Sequence, residues 1–331
     1  MKNIVRNLLV MVLVAFSVAA CGPSPEKLYQ QGVDYYNNQE YSKAEECFRK
    51  AAEKGHAEAE KYLAMLLENA AEQTDAEGQP AEGTQEEGAE SQLVFNGVGF
   101  SVSATDVVYF APSNLQYQAS TKGWRLAEKP WVVLGEINSN ISDENAEWID
   151  LFGWGTGSNP TQDATNNNEY ESFVDWGNNN ILNGGGRSWR TLTKDEWTYV
   201  FDERNTPSGI RYAKATVNDV KGVILLPDDW NSEYYELNNT NKSGEGFDGN
   251  IITDSDWANV FGAKGAVFLP NTGVRKANSV SSITESGYYW SSTNYDNTGS
   301  FAVLINDSNI NAAHHYYQKN GFAVRLVCAA K

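Results

Sequence analysis

Basic side chains and cysteine are both scarce in this chain, and each shortage excludes a class of protein. The 25 Lys and Arg residues are outnumbered by 43 Asp and Glu residues, which gives a formal net charge of −18. A surface that follows nucleic-acid phosphates needs clustered basic residues, so we expect no nucleic-acid partner. The three cysteines, Cys21, Cys47 and Cys328, are too few and too scattered for a disulfide framework or a thiolate metal cluster.

The first twenty residues lack an apolar run long enough to span a membrane, but they carry a targeting pattern. Lys2 and Arg6 are followed by the seven apolar residues Leu8–Val14, whereas a spanning helix needs about 20. The stretch Val18–Cys21 (VAAC) resembles the lipobox of bacterial lipoproteins. The resemblance implies that residues 1–20 are a signal peptide and that Cys21 is lipidated. We therefore expect a protein anchored in the membrane, in the outer membrane of a diderm bacterium, at the cell surface or the periplasmic face.

Residues 21–69 have the pattern of a small helical module. Helix-forming residues recur with a period near 3.6 from Glu26 to Asn69, and Gly32 and Ala44 leave room for two helices to pack closely. The pattern resembles a tetratricopeptide repeat, and the Gly-His-Ala at 55–57 resembles the turn of the related Sel-like repeat, which makes His56 a turn residue. The resemblance predicts an all-α module. Binding of a protein partner and a role as a spacer both stay open.

Residues 70–92 have the composition of a linker. They contain seven acidic residues, no basic residue and no aromatic residue. Such a segment cannot bury enough apolar surface to offset the entropy of ordering, so we expect a flexible tether before a domain at 93–331.

The domain at 93–331 combines short apolar segments with two helix-start signals. Thr193 with Glu196 and Thr253 with Asp256 are typical of capping boxes, each followed by a Trp on the apolar side. We expect Trp197 and Trp257 to be buried. The combination of short apolar strands with helices predicts an α+β fold class with long loops. The candidate strands are Val107–Phe110, Leu115–Gln118, Val223–Leu226, Val267–Leu269, Ser300–Asn306 and Phe322–Val327.

Four motifs in a fixed order resemble a known family. They are Trp189–Trp197 (WRTLTKDEW), Leu225–Pro227 (LLP), Gly287–Thr293 (GYYWSST) and Gly321–Val327 (GFAVRLV). Together they resemble the Fibrobacter succinogenes major paralogous domain family of Bacteroidetes surface lipoproteins. The resemblance covers about Val94–Val327 and implies a C-type-lectin-like fold of the formylglycine-generating-enzyme type.

The chemistry known from that fold is not supported by this sequence. Its enzyme branch uses several redox-active cysteines, and this domain has only Cys328. Its calcium-binding lectins need carboxylates that are missing here from the loops around Pro227 and Pro270. We therefore expect no catalytic residue, no cofactor and no assigned metal site. A structural Ca²⁺ near Asp248, Asp254 and Asp256 stays open.

The last forty residues are typical of a binding surface. Tyr gives contact area at low entropy cost, and Asn, Asp and His add adaptable hydrogen bonds. We expect the ligand-binding residues to lie in two connections on either side of the strand Ser300–Asn306, converging at one end of a small sheet. They are Asn294, Tyr295, Asp296, His314, His315, Tyr316 and Tyr317. The residue types also resemble the variable region of proteins diversified by retroelements.

These patterns predict a lipid-anchored, adhesin-like protein that is not an enzyme. Its partner would be a protein or glycan ligand on another cell or in the envelope. The alternative is a glycan-acting enzyme, or an accessory subunit of one, with the helical repeat as a docking arm.

Overall fold

The computed structural model describes residues 24–37, 41–52, 54–56, 59, 95–96, 98–162 and 172–330. The chain divides into two compact units, residues 1–86 and 87–331. The predicted signal peptide, Cys21 and the predicted linker at 70–92 all lie outside the described residues. The predicted domain boundaries therefore stay predictions.

Two helices are described in the first unit, α1 (Pro25–Asn37) and α2 (Tyr41–Ala52). They pack through Phe48, which is fully buried against Gly32. A Cβ atom on Gly32 would lie 2.6 Å from the Phe48 ring, so this crossing requires a glycine. His56 follows the turn at Gly55, as predicted, and its ring stacks on Tyr29 at 4.4 Å.

The predicted tetratricopeptide or Sel-like module is wrong: no such repeat is evident in the part of the chain that the structure describes. One pair of helices is described there, and of the last part of the predicted module, residues 57–69, the structure describes only Ala59. The physical reason is that the apolar core of the first unit is too small for a repeat protein. Its fully or nearly buried members are Leu28, Phe48, Ala51 and Ala59, whereas a repeat protein needs several stacked units to bury a continuous core.

The second unit consists mostly of β-sheet, so the predicted α+β class, with its C-type-lectin-like assignment, is wrong. Among the described residues the strands far outnumber the helices, which are few and short. The sixteen described strands are β1 (Phe100–Ser101), β2 (Val107–Phe110), β3 (Leu115–Gln118), β4 (Gly123–Leu126), β5 (Trp148–Ile149), β6 (Arg190–Thr191), β7 (Tyr212–Val217), β8 (Val220–Leu225), β9 (Ile251–Ile252), β10 (Val267–Pro270), β11 (Val274–Lys276), β12 (Ser279–Ser281), β13 (Gly287–Asn294), β14 (Gly299–Ile305), β15 (Ile310–Tyr317) and β16 (Leu326–Ala329).

Both predicted capping boxes are confirmed, and they explain why the α+β prediction failed. The hydroxyl of Thr193 accepts from the Glu196 N–H, and the Glu196 carboxylate accepts from the Thr193 N–H. Thr253 and Asp256 repeat the arrangement. The helices they start, α3 (Lys194–Thr198) and α4 (Asp254–Asp256), pass directly into π turns at Tyr199–Glu203 and Trp257–Phe261. A helix of two or three turns adds little helix content to a β unit.

The strands form several small sheets rather than one large one. The sheets described have the strand orders β1-β2-β16-β6, β10-β8-β7-β9, β13-β14-β15, β4-β3-β5 and β11-β12. The hairpin β7–β8 turns at Asn218 and Asp219, both with positive φ, as a type I′ turn requires. β8 also pairs with β10, so the two apolar segments that each precede a Leu-Pro are neighbours.

The predicted strands agree with the structure to different degrees. β2 and β3 have the predicted bounds. The predicted strand Phe322–Val327 is wrong over its first four residues: β16 begins at Leu326, while Phe322 and Ala323 form isolated bridges with Phe152 and Tyr289.

The sheet β13-β14-β15 separates two apolar cores. Tyr289 and Val303 belong to one core, which also holds Trp197, whereas Trp290 and Ala302 belong to the other, which also holds Phe322. Both faces of this sheet are packed along most of β13 and β14, whereas β15 is partly exposed, most of all at His315 and Tyr317.

Candidate ligand-binding face

The seven predicted site residues meet at one end of the sheet β13-β14-β15. Asn294 is the last residue of β13 and pairs with Ser300 of β14, and Tyr295 and Asp296 follow in the turn to β14. His314–Tyr317 complete β15. All seven therefore lie at the same end of this sheet, and their role in ligand binding stays a prediction.

The predicted backbone of five of these seven residues is wrong. Asn294 was expected in a connection, but it is the last residue of β13. His314–Tyr317 were expected in a connection, but they form the end of β15, with Tyr316 opposite Ser300 and His315 opposite Phe301. Side chains alternate between the two faces of a strand. The structure therefore divides the candidates into two groups, with His315 and Tyr317 on one face and His314 and Tyr316 on the other.

The first group forms a surface that we call the exposed aromatic face, made of Tyr295, Phe301, His315 and Tyr317. Tyr295 is 50 % exposed and Tyr317 is 57 % exposed. The rings of Tyr295 and His315 stack with centroids 4.1 Å apart and an angle of 14° between their planes. Large exposed rings held by one another offer contact area with little freedom left to lose on binding.

The turn that carries Tyr295 is fixed by Asp296. Oδ1 of Asp296 accepts hydrogen bonds from the Thr298 N–H at 2.8 Å, the Thr298 hydroxyl at 2.9 Å and the Gly299 N–H at 2.8 Å. These bonds, led by the one from the Thr298 N–H, lower the pKa of the Asp296 carboxyl below its ordinary value. The Tyr295 and Asp296 N–H groups both donate to the Gly299 carbonyl. Tyr295 therefore sits on a closed, hydrogen-bonded turn.

The second group packs against neighbouring rings and is only partly exposed. The Tyr316 ring stacks on His314 at 4.4 Å and meets Tyr288 and Phe322 edge to face at 5.2 and 5.1 Å. Burial, followed by the neighbouring Tyr288, raises the pKa of the Tyr316 phenol. We infer that Tyr316 supports the sheet end, in contrast to Tyr295.

Asn294 also has a structural partner. Its Oδ1 accepts from Gln318 Nε2 at 2.9 Å and from the Ser300 hydroxyl at 3.3 Å. These bonds hold the end of β13 to β14 and to the residue that follows β15.

Sequence reasoning did not place Phe301 and Lys194 at the exposed aromatic face. Phe301 stands at its base, and Lys194 Nζ lies 5.6 Å from the Phe301 ring centroid. The Lys194 ammonium forms an ion pair with Asp195. The Lys194 N–H donates to the Thr293 hydroxyl at 3.0 Å, which brings the start of α3 to the end of β13. A contact across about one hundred residues left no local signal in the sequence.

Three apolar residues that pack below the candidate site are buried. Trp290, Phe322 and Val324 are all fully buried. The Trp290 indole donates to the Phe152 carbonyl at 2.7 Å, and its ring lies 4.4 Å from Phe322. These buried side chains therefore hold the end of the sheet in place, and substitutions at the surface leave them unchanged.

The acidic residues considered for calcium do not form a site in the described part of the chain. No group of three or more His, Cys, Asp or Glu side chains there is arranged to hold a metal ion. The Asp256 carboxylate accepts from the Thr253 N–H and hydroxyl. Of the helices described, none has the length and apolarity to cross a bilayer.

Comparison with known proteins gives one match. Residues 242–327 match a family model described as "Domain of unknown function (DUF8237)". This segment runs from before α4 to the second residue of β16 and contains the whole exposed aromatic face. No curated protein and no solved structure matches the chain.

Proposed function

We propose that the chain is a lipid-anchored binding protein of the bacterial envelope, without catalytic activity of its own. The end of sheet β13-β14-β15 would present the exposed aromatic face to a protein or glycan ligand. Cys21 would supply the anchor, in the outer membrane, at the cell surface or on the periplasmic side.

The proposal is supported most directly by the stacking of the Tyr295 ring on the His315 ring. The buried side chains of Trp290 and Phe322 lie below this end of the sheet. The two rings are 4.1 Å apart, and Tyr295 is half exposed. Tyr317, on the same face of β15 as His315, is 57 % exposed. Exposed Tyr side chains on a rigid base are the groups that contribute most to recognition of varied partners.

The support beneath the face favours a surface that tolerates substitution. Trp290 and Phe322 are fully buried and belong to the core beneath the sheet. Changes at Tyr295, His315 or Tyr317 leave that core intact, and surface substitutions of this kind cost within about 0.5 kcal/mol. This supports the proposal that the segment is a diversified region. A neighbouring reverse transcriptase gene with a near-copy of the codons for 287–327 would be its genetic signature.

Binding of the purified full chain to a glycan array and to intact bacterial cells tests the proposal. The test variant combines Tyr295→Ala, His315→Ala and Tyr317→Ala. The matched control combines Tyr234→Ala and Ile251→Ala, which remove side chains that are 40 % and 60 % exposed elsewhere in the same unit. We expect the test variant to lose at least tenfold in binding to whatever the wild type binds, with a melting temperature within a few degrees.

Two outcomes would contradict the proposal. One is equal binding by the wild type and the test variant. The other is an equal loss in the control, which would mean that any exposed apolar surface on the unit suffices.

A further inference from the structure

β15 forms an open edge of the sheet β13-β14-β15. The other edge, β13, is covered, because the Trp290 N–H donates to the Ala323 carbonyl and the Ser292 N–H donates to the Leu192 carbonyl. Among the described residues, the only strand with which β15 pairs is β14. An open strand edge can pair with a strand of another chain, so proteins usually block it.

The ladder with β14 decides which main-chain groups of β15 face outward. The Gln318 N–H donates to the Thr298 carbonyl at 3.0 Å, and Tyr317 stands opposite Gly299. In an antiparallel pair, residues whose main-chain groups bond to the partner strand alternate with residues whose groups point away from it. The N–H and C=O groups of His315 and Tyr317 therefore point away from β14, towards the open edge.

Two side chains of β15 occupy main-chain groups of their own strand. Nδ1 of His314 lies 3.0 Å from the carbonyl oxygen of His315, and because a carbonyl oxygen can only accept, Nδ1 carries the proton. Oδ1 of Asn311 accepts from the Ala313 N–H at 3.0 Å. A second strand would have to displace both side chains before it could use these groups.

Two further features interrupt the edge. The Asn320 N–H donates to the Tyr317 carbonyl at 3.0 Å. The register shifts between Ala302 and Leu304, so that residues 312 and 313 of β15 stand opposite one residue of β14. Such a bulge bends the edge and disturbs the spacing that a second strand would have to match.

The result is an edge that offers donors without free acceptors. The carbonyl groups of His315 and Tyr317 are both occupied. Their N–H groups have no hydrogen-bond partner in the described part of the chain. An antiparallel pair exchanges an N–H and a C=O at each hydrogen-bonded position, so this edge provides only half of what a second strand requires.

We infer that His314 and Asn311 close the edge of β15 against pairing with a second copy of this chain. A second copy is the partner that the uncovered edge fits, because two identical edges match in antiparallel orientation about a twofold axis. Pairing would also cover Tyr317, which is 57 % exposed. His314, which was predicted to bind ligand, thus controls the association state of the protein. The inference is independent of what the exposed aromatic face binds.

Sedimentation velocity of the full chain tests the inference, with Cys21→Ser in every sample so that a lipid cannot drive association. The test variant combines Asn311→Ala and His314→Leu, which remove the acceptor and the donor. The leucine keeps an apolar side chain beside Tyr316. We expect the dimerisation constant to rise about tenfold or more above that of the Cys21→Ser chain.

The matched control combines Asn297→Ala and His315→Leu. It adds the same apolar surface at the same end of the sheet, and in the described structure neither side chain bonds a main-chain group. The control should leave the dimerisation constant unchanged. An equal rise in the control, or no rise in the test variant, would overturn the inference.

Tyr317→Pro, added to the test variant, locates the contact. Proline has no N–H to donate to a second strand, and a position that faces outward at an edge tolerates it. We expect the monomer to return. In the dimer of the test variant, amide hydrogen exchange at His315 and Tyr317 should slow by about tenfold.

The remaining outcomes are also decisive. Association that persists with the proline would mean that another surface is responsible, and the inference would be wrong. A dimer of the Cys21→Ser chain in which the Tyr317 amide is protected would show that the edge is already paired rather than closed. If the test variant melts far below the Cys21→Ser chain, His314→Leu alone repeats the measurement with the same expected direction.

Discussion

The ammonium of Lys214 donates a 2.7 Å hydrogen bond to the carbonyl oxygen of Asn306. Lys214 lies in β7, is 2 % exposed, and also donates to the Asp307 carbonyl at 3.0 Å. The turn between β14 and β15 is thereby fastened to the sheet β10-β8-β7-β9. The bond joins two sheets that share no strand.

Lys214→Met should loosen this turn. The substitution keeps the apolar stem but leaves two carbonyl groups without their donor, which should lower the free energy of unfolding by about 1–3 kcal/mol at pH 7. Urea denaturation of the full chain measures the change. A variant as stable as the wild type would show that the two hydrogen bonds add nothing net.

The same residue predicts a rise in stability with pH. Burial lowers the pKa of Lys214 from 10.5 to about 8. Between these values the unfolded chain holds a proton that the folded chain has released, so the wild type should gain stability as the pH rises from about 8 towards 10. Denaturation midpoints at pH 7.5, 8.5 and 9.5 measure the slope, which Lys214→Met should reduce; the same slope in both proteins would assign it to another group.

Asp150→Asn should stabilise the protein at neutral pH. Burial raises the pKa of Asp150 to about 6, although hydrogen bonds from the Asn138 amide, at 2.8 Å, and from the Leu134 backbone act in the opposite direction. Because the folded pKa lies above the unfolded value of 3.8, wild-type stability should fall as the pH rises from about 4 to 6. Asn should remove that slope and gain about 1–3 kcal/mol at pH 7. A less stable variant at pH 7 would mean that the carboxylate has a partner that the amide cannot replace.

Trp197→Ala should be strongly destabilising. The side chain is fully buried and lies 5.6 Å from Phe110 and 6.1 Å from Phe201. Truncation of a buried Trp costs about 3–5 kcal/mol. Ile251→Ala, at a position that is 60 % exposed, is the matched control and should change stability by less than about 0.5 kcal/mol. Quenching of Trp197 fluorescence by acrylamide in the folded wild type would argue against its burial.

Single substitutions should separate Tyr316 from Tyr295. Tyr316→Ala removes a ring packed on His314, Tyr288 and Phe322 and should cost about 2 kcal/mol or more. Tyr295→Ala should cost less than about 1 kcal/mol, because half of its surface faces water. Thermal unfolding compares the two variants; equal losses would contradict the division of β15 into an exposed and a supporting face.

The anchor prediction is tested by Cys21→Ser. A Ser cannot accept the thioether-linked lipid, so the variant should move from the membrane fraction to the soluble fraction after cell lysis. Mass spectrometry of the wild-type N-terminus is the companion measurement. Retention of the variant in membranes, with no lipid on the wild type, would rule out Cys21 as the anchor.

Local signals in the sequence predicted the features that depend on neighbouring residues. Thr193 with Glu196 defined a helix start, and the apolar positions after it predicted that Trp197 is buried. Such features require only helix geometry and side-chain chemistry. The sequence did not predict how short the helices are, because the π turns that end them depend on packing against the sheets.

The pairing of strands could not be obtained in the same way. β15 does not alternate cleanly between apolar and polar residues, and a register shift between Ala302 and Leu304 decides that His315 meets Phe301. The stack of Tyr295 on His315 follows from that register. The position of Lys194 near Phe301 joins segments that are far apart in the chain, which only the folded structure reveals.

The alternation of side chains along β15 limits how this segment can change in evolution. Replacing His315 or Tyr317 alters the outward surface alone. Inserting or deleting one residue before His315 would instead turn the outward side chains to the packed face and bring Tyr316 out. The amino-acid composition of this segment can therefore vary widely, whereas its length has to stay constant.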